Sequence, residues 1–226
     1  IQTDPAMRVP AVKLPSVEAA MLAACDKQDG VEDGVIDDPP QCRFDPAVLL
    51  CRSAETDACL TAAQVDGLKK LLPGPQSSAG TAVFPGHLPG GITGGGGWST
   101  WVTGPATGAL SVGAQFGSGF FTNMVLGRPV DARAFSIDRD MKTADDRLAA
   151  TLNATDPDLR RFAQRGGKLI VYHGWSDPAI SAANSIDYYN SVVTKMGAKN
   201  AGAVMRLFMV PGLQHCSGGP GPNVFG

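Results

Sequence analysis

Residues 168–177 read KLIVYHGWSD, and residues 203–215 read AVMRLFMVPGLQH. Each is a short apolar run that delivers the chain to one chemically active side chain, Asp177 in the first and His215 in the second. Runs of this length predict buried strands. Between them, NSIDYYNSVVTKMG (184–197) places Ile186, Tyr189, Val193 and Met196 on one helical face, with Gly197 as the stop. Strand, helix, strand is the α/β pattern, in which functional residues gather beyond the C-terminal ends of the strands. Just upstream, DPDLRRFAQRGG (156–167) predicts a helix with Asp156 as N-cap, Pro157 in the first position and Gly166 at the end.

An Asp and then a His on the last two strands follow the chain order of an α/β-hydrolase triad, Ser, Asp, His. The Asp would accept the imidazole N–H and fix its tautomer; the His would take the serine proton and return it to the leaving alcohol. A loop aspartate beside a surface histidine would show the same spacing. The nucleophile elbow, Gly-x-Ser-x-Gly, is absent: Ser99 in GWSTW, Ser118 in FGSGF and Ser176 in GWSDP do not fit it. Since the serine comes first in that order, it is expected upstream of residue 1.

The N-terminal half has a different texture. A helical pattern starts at Ser16 in SVEAAMLAAC, and an acidic, glycine-punctuated loop, CDKQDGVEDGVIDDPPQC (25–42), follows. Thr61 with Gln64 forms a capping box, Leu60 with Val65 a hydrophobic staple, and Val65, Leu68 and Leu72 the buried stripe of the next helix. From about residue 73 to 130 charge is scarce and Gly, Pro, Ser and Thr abound, with GGITGGGGWSTW (90–101) as the extreme. No Gly-Lys-Ser/Thr follows, so the stretch is not a phosphate-binding P-loop; a mobile covering loop is expected. Trp98 and Trp101 are either core or the wall of an apolar pocket.

The chain has 226 residues, enough for one large domain or two small ones. A net charge of −2 with no run of Lys or Arg excludes nucleic acid and anionic membrane surfaces as partners. No stretch approaches the roughly 18 consecutive apolar residues of a membrane-spanning helix. The first residues lack the features of a signal peptide and do not begin with Met, so a processed or trimmed piece is expected. Of the five cysteines, Cys25, Cys42, Cys51 and Cys59 cluster and Cys216 stands alone. None has Cys-x-x-Cys spacing, so local disulfides in an exported protein are expected, with a partner for Cys216 outside the chain.

Four ordered stretches, ACDKQDGVEDGVIDDPPQCRFDP, CLTAAQVDGLKKL, DLRRFAQRGGKLIVYHGWSDPAI with IDYYNSVV, and FMVPGLQHCSGGPGPNVF, resemble the tannase and feruloyl esterase family. That family also includes the hydrolase of mono(hydroxyethyl) terephthalate. The resemblance implies an α/β-hydrolase core with a large lid inserted after the nucleophile. It divides this chain into a lid domain, 1–154, and the C-terminal part of the catalytic core, 155–226. It implies a secreted or periplasmic serine esterase acting on phenolic or aromatic carboxylic esters of feruloyl or galloyl type. Asp177 and His215 would be its triad members, and His173, Trp98 and Trp101 would line its pocket; a packed strand-end histidine is the other reading of His173. His87 has no motif around it and is taken for a loop residue.

The resemblance also pairs Cys25 with Cys42 and Cys51 with Cys59, and ties Cys216 to a cysteine beside the nucleophile. The Cys-Ser segment, the oxyanion-hole residues and the region after PNVFG are missing from the stretches that match. A separate segment or chain carrying the serine is therefore an expected partner, and this chain alone is expected to be inactive. For the acidic loop, an EF-hand starting at Asp29 places Gly34 at the turn but fails at Val31 and Pro40. The resemblance supplies a different, structural calcium site: the side chains of Asp26, Asp29 and Asp33 with the carbonyls of Val31 and Val35. The readings that compete with the esterase are a non-catalytic calcium-binding module or inactive relative, and the C-terminal subunit of a processed two-chain esterase.

Overall fold

A computed structural model describes residues 4–224. Ile1–Thr3 at the start, and Phe225 and Gly226 at the end of the last quoted motif, lie outside the described residues. The longer elements run in the order α1 (Leu14–Cys25), α2 (Ala62–Leu71), α3 (Trp98–Trp101), α4 (Val112–Phe120), α5 (Lys142–Leu152), α6 (Arg160–Gln164), β1 (Leu169–Gly174), α7 (Ala182–Met196), α8 (Ala198–Val204) and β2 (Met205–Val210).

α1 starts two residues before Ser16, because Pro15 suits the first helical turn, where no N–H partner is needed. It is followed by the acidic loop, which the Cys25–Cys42 disulfide closes; Cys51–Cys59 closes a second, shorter loop. α2 carries the expected capping box in full: the Gln64 amide donates to Thr61 Oγ1, and the Thr61 amide donates to Gln64 Oε1. Gln64 has a further role. Its Oε1 also accepts from Lys13 Nζ at 3.1 Å, and Lys13, buried, pairs with Glu55 at 2.6 Å. Val65 and Leu68 are buried as the stripe requires, whereas Leu72 is only partly so.

Val17, Met21, Leu60, Leu68, Ile92 and Trp98 belong to one core cluster that joins α1, α2 and the glycine-rich stretch. A second cluster, with Val192, Met196, Ala201, Val204 and Met205, joins α7 and α8 to the strands.

β1 and β2 are parallel, with Leu169 opposite Met205 and Gly174 opposite Val210. Leu169 and Val171 face the helices. Ile170, Tyr172 and Phe208 alternate with the inward residues and are exposed, so the strands are buried on one face only among the described residues. α6 is shorter than Asp156 and Pro157 predict. Asp156 Oδ1 accepts from the Asp158 amide, and Asp158 in turn takes the Arg160 amide and guanidinium. The turn-forming aspartates thus hold residues 156–158 out of the helix, which begins only at Arg160. α7 begins at Ala182 and ends at Gly197 (φ +79°) as expected, with Val192 as its most buried apolar residue.

Candidate active site

The site is built by the two strand ends. Parallel register brings Gly174 and Val210 level, so the two loops leave the sheet side by side. Pairing then continues past the strands: the Trp175 amide donates to Val210 O at 2.9 Å, and the Ser176 amide to Leu213 O at 3.1 Å. A side chain at Gly174 would forbid this, since its Cβ would stand 2.1 Å from Leu213 O. The continuation carries Asp177 to His215. His215 Nδ1 lies 2.9 Å from Asp177 Oδ2.

Asp177 is nearly fully buried and its carboxylate is crowded with donors. Oδ2 faces His215 and also His173 Nε2 at 3.2 Å. Oδ1 accepts from the amides of Ala179 (2.8 Å) and Ile180 (2.9 Å). Burial opposes the charge, but the bonds from His173, from the Ile180 amide, from His215 and from the Ala179 amide outweigh it. They hold the carboxyl at about 2, so it is ionised. An ionised carboxylate only accepts, so both imidazoles must present N–H to it. A neutral His215 is then the Nδ1–H tautomer, with its lone pair on Nε2. The other ring nitrogen of His173, Nδ1, lies 2.8 Å from the Ser185 hydroxyl.

Beside His215 is a hollow of about 280 Å³, lined among others by Tyr172, His173, Ile180, Leu213 and Cys216. No serine lines it. His173 packs at the strand end and borders the hollow. The two tryptophans part company. Trp101 meets the His215 ring edge-on at 5.0 Å between centroids, and Phe116 stacks on Trp101 at 6.3 Å. Phe116 opens onto an apolar groove of about 710 Å³ along α4. Trp98 is core and not a pocket wall, being 2% exposed in the first cluster.

His87 is more than a loop residue. Its ring packs on Trp98 at 5.7 Å, its Nδ1 is enclosed with no hydrogen-bond partner among the described residues, and burial pushes it down to about 4, although Asp177 pulls the other way. The segment after Asp177 is anchored to this same turn by the Ser181 hydroxyl, which donates to Gly86 O at 2.6 Å. Nothing local in the sequence signals either contact.

Cys216 is exposed, has no partner among the described residues and has φ +64°, a region non-glycine residues seldom adopt. In the acidic loop, Asp29 and Asp33 each bond the amide two residues on, Val31 and Val35. Asp26 Oδ2 accepts from the Gly34 amide, while its buried Oδ1 has no hydrogen-bond partner among the described residues. Burial, then the charges of Asp29 and Asp33, push Asp37 above the usual carboxylate range. Among the described residues no group of three His, Cys, Asp or Glu side chains converges as metal ligands would.

A family profile described as "Tannase and feruloyl esterase" matches residues 1–226. An uncharacterised esterase of Xanthomonas campestris pv. campestris is 39% identical, over 99% of this chain and 42% of its own length. The mono(2-hydroxyethyl) terephthalate hydrolase of Piscinibacter sakaiensis is 36% identical, over 91% of this chain and 40% of its own. A probable feruloyl esterase B-2 of Aspergillus flavus is 32% identical, over 93% and 39%. The chain thus spans about two fifths of the length of these relatives. The crystal structure of an esterase from Aspergillus oryzae superposes with a TM-score of 0.82 at 28% identity, covering 95% of this chain and 41% of that one. That of feruloyl esterase B from the same organism, at 23% identity, shares the fold with a TM-score of 0.84, over 99% and 45%.

Proposed function

We propose, because this chain belongs to the tannase and feruloyl esterase family, that it is the base-bearing part of a serine esterase. The observation that carries the reading is the Asp177–His215 hydrogen bond at two adjacent strand ends, which engages Nδ1, so that in the neutral ring Nε2 carries the lone pair, with His215 lining a hollow. The serine belongs to a segment outside these 226 residues. Nε2 takes its proton as Oγ bonds to the ester carbonyl carbon. The tetrahedral centre then expels the alcohol oxygen, which receives that proton. Water, deprotonated by the same Nε2, attacks the acyl-enzyme carbonyl carbon; this second tetrahedral centre expels the serine Oγ, which takes the proton back from Nε2, and the acid is released. Asp177 supports the imidazolium in both halves, and His173, held by Ser185, keeps the carboxylate charged and oriented.

The substrates are phenolic or aromatic esters. The stack of Trp101 and Phe116 against His215 supports this, since ring faces favour an aromatic partner. Residues 1–154 act as the lid and 155–226 as the end of the core, a division that the two separate core clusters favour. Cys216 is tethered to a cysteine beside the serine, which would hold base and nucleophile at fixed distance. Two disulfides in the lid suit a secreted or periplasmic protein.

The acidic loop binds calcium in a structural role. Its donors are all oxygens, it carries unneutralised charge at Asp29, Asp33 and Asp37, and Asp26 Oδ1 lacks a partner. Asp26, Asp29 and Asp33 with the carbonyls of Val31 and Val35 would hold the ion, whose charge would offset theirs.

A serine-directed sulfonyl fluoride tests the catalytic reading in the full-length protein. Peptide mapping is expected to find the adduct on a serine outside residues 1–226, and none on the His215→Ala variant. An adduct on Ser99, Ser118 or Ser176 would refute the assignment.

A further inference from the structure

Resting on the esterase reading, we infer that Gln214 is a positioning residue of this site: it fastens the glycine-rich loop to the histidine loop and thereby sets Trp101 against the His215 ring. Gln214 directly precedes His215 and is 2% exposed. Both protons of its side-chain amide are committed to one loop more than a hundred residues away. Nε2 donates to Gly91 O at 2.7 Å and to Thr93 O at 2.6 Å. On the other side, the Gln214 main-chain N–H donates to Gly218 O at 3.1 Å, so the histidine loop folds around the residue that makes the bolt.

The loop is shaped to receive it. A Cβ on Gly96 would stand 2.9 Å from Gln214 Oε1. A Cβ on Gly91 (φ +62°) would stand 2.2 Å from Ser176 Oγ, next to Asp177. Gly91 and Gly96 are therefore close-approach positions against the two loops that carry the candidate pair. The loop runs without a break into α3, because the Trp98 amide donates back to Ile92 O at 2.8 Å. α3 ends on Trp101, the ring that meets His215. Gln214 fixes the start of this short rigid path and His215 meets its end. Two bonds to backbone carbonyls in a buried setting leave little room for the loop to shift.

Gln214→Met keeps the side chain's length and removes both donors. Measured on the full-length protein, it is expected to lower kcat/KM for an aromatic ester roughly ten- to hundredfold, the cost of a misplacement on the order of 1 Å. In a Trp101→Ala background the same change is expected to cost less than about twofold, because the path it controls has been removed. A residue that only stabilised the fold would lower the unfolding midpoint and cost the same factor in both backgrounds. Equal factors, or an unchanged kcat/KM, overturn the inference. Should Gln214→Met not fold, Gly96→Ala makes the same test by pushing on Gln214 Oε1: its loss of activity is expected to disappear in the Trp101→Ala background, and persistence there overturns the inference. His215→Ala, assayed alongside, separates the two claims. If it retains wild-type turnover, the esterase reading itself fails; if it is inactive while Gln214→Met shows no coupling to Trp101, only the role of Gln214 fails.

Discussion

Asp177 and His215 each follow an apolar run, so their separation in space is set by the register of two strands. What surrounds them comes from distant parts of the chain. Gln214 reaches partners 123 and 121 residues away, and Ser185 meets His173 only because α7 folds back over β1. His87 is half-buried and packs its ring on Trp98, which belongs to a different turn of the glycine-rich stretch. Its burial has a measurable consequence. With the imidazole pushed down to about 4 from its usual 6.5, the unfolded chain takes up a proton between those values that the folded chain refuses. The stability associated with the neutral ring is therefore complete above pH 6.5 and is lost as pH falls toward 4. His87→Phe is expected to flatten the decline of the unfolding midpoint between pH 6.5 and 4, relative to the wild type. Identical slopes would show that His87 is not held neutral in the folded protein.

At the scale of elements, local signals worked where the local chain decides the outcome. The Thr61–Gln64 box starts α2, and Gly197 ends α7. They failed at residues 156–158, where aspartates bond their own backbone and delay α6, and they are silent on Lys13, which is buried and pairs with Glu55 in a distant loop. GGITGGGGWSTW misled most, because glycine at a close contact and glycine in a mobile loop have the same composition. The acidic loop adds a prediction about metal. If calcium holds Asp26, Asp29 and Asp33, chelation lowers the unfolding midpoint, since removing a ligand of the native state removes its stabilisation. Asp29→Ala is expected to be less stable and to have lost that sensitivity. A wild-type midpoint and metal content both unmoved by chelator would show that the loop is an acidic turn held by its own backbone bonds.

Across the whole molecule, the chain joins a disulfide-closed helical region to a strand pair whose apolar outer residues, Ile170, Tyr172 and Phe208, remain exposed. The apolar runs at 169–174 and 205–210 predict cover on both faces, and the described residues cover one. Family membership was accessible from four quoted motifs, because they hold four of the five cysteines, the acidic loop and the triad candidates in order. The aromatic contact between Trp101 and His215 was not, because it depends on how the glycine-rich loop docks. The central claim is that His215, held by Asp177, is the general base of an ester hydrolase. The most direct test is the rate of aromatic ester hydrolysis by full-length His215→Ala and Asp177→Asn. Both are expected to keep the wild-type unfolding midpoint to within a few degrees, while kcat falls by roughly 10⁴ or more, the scale on which a serine triad fails. Turnover near the wild-type rate in either variant would contradict the account.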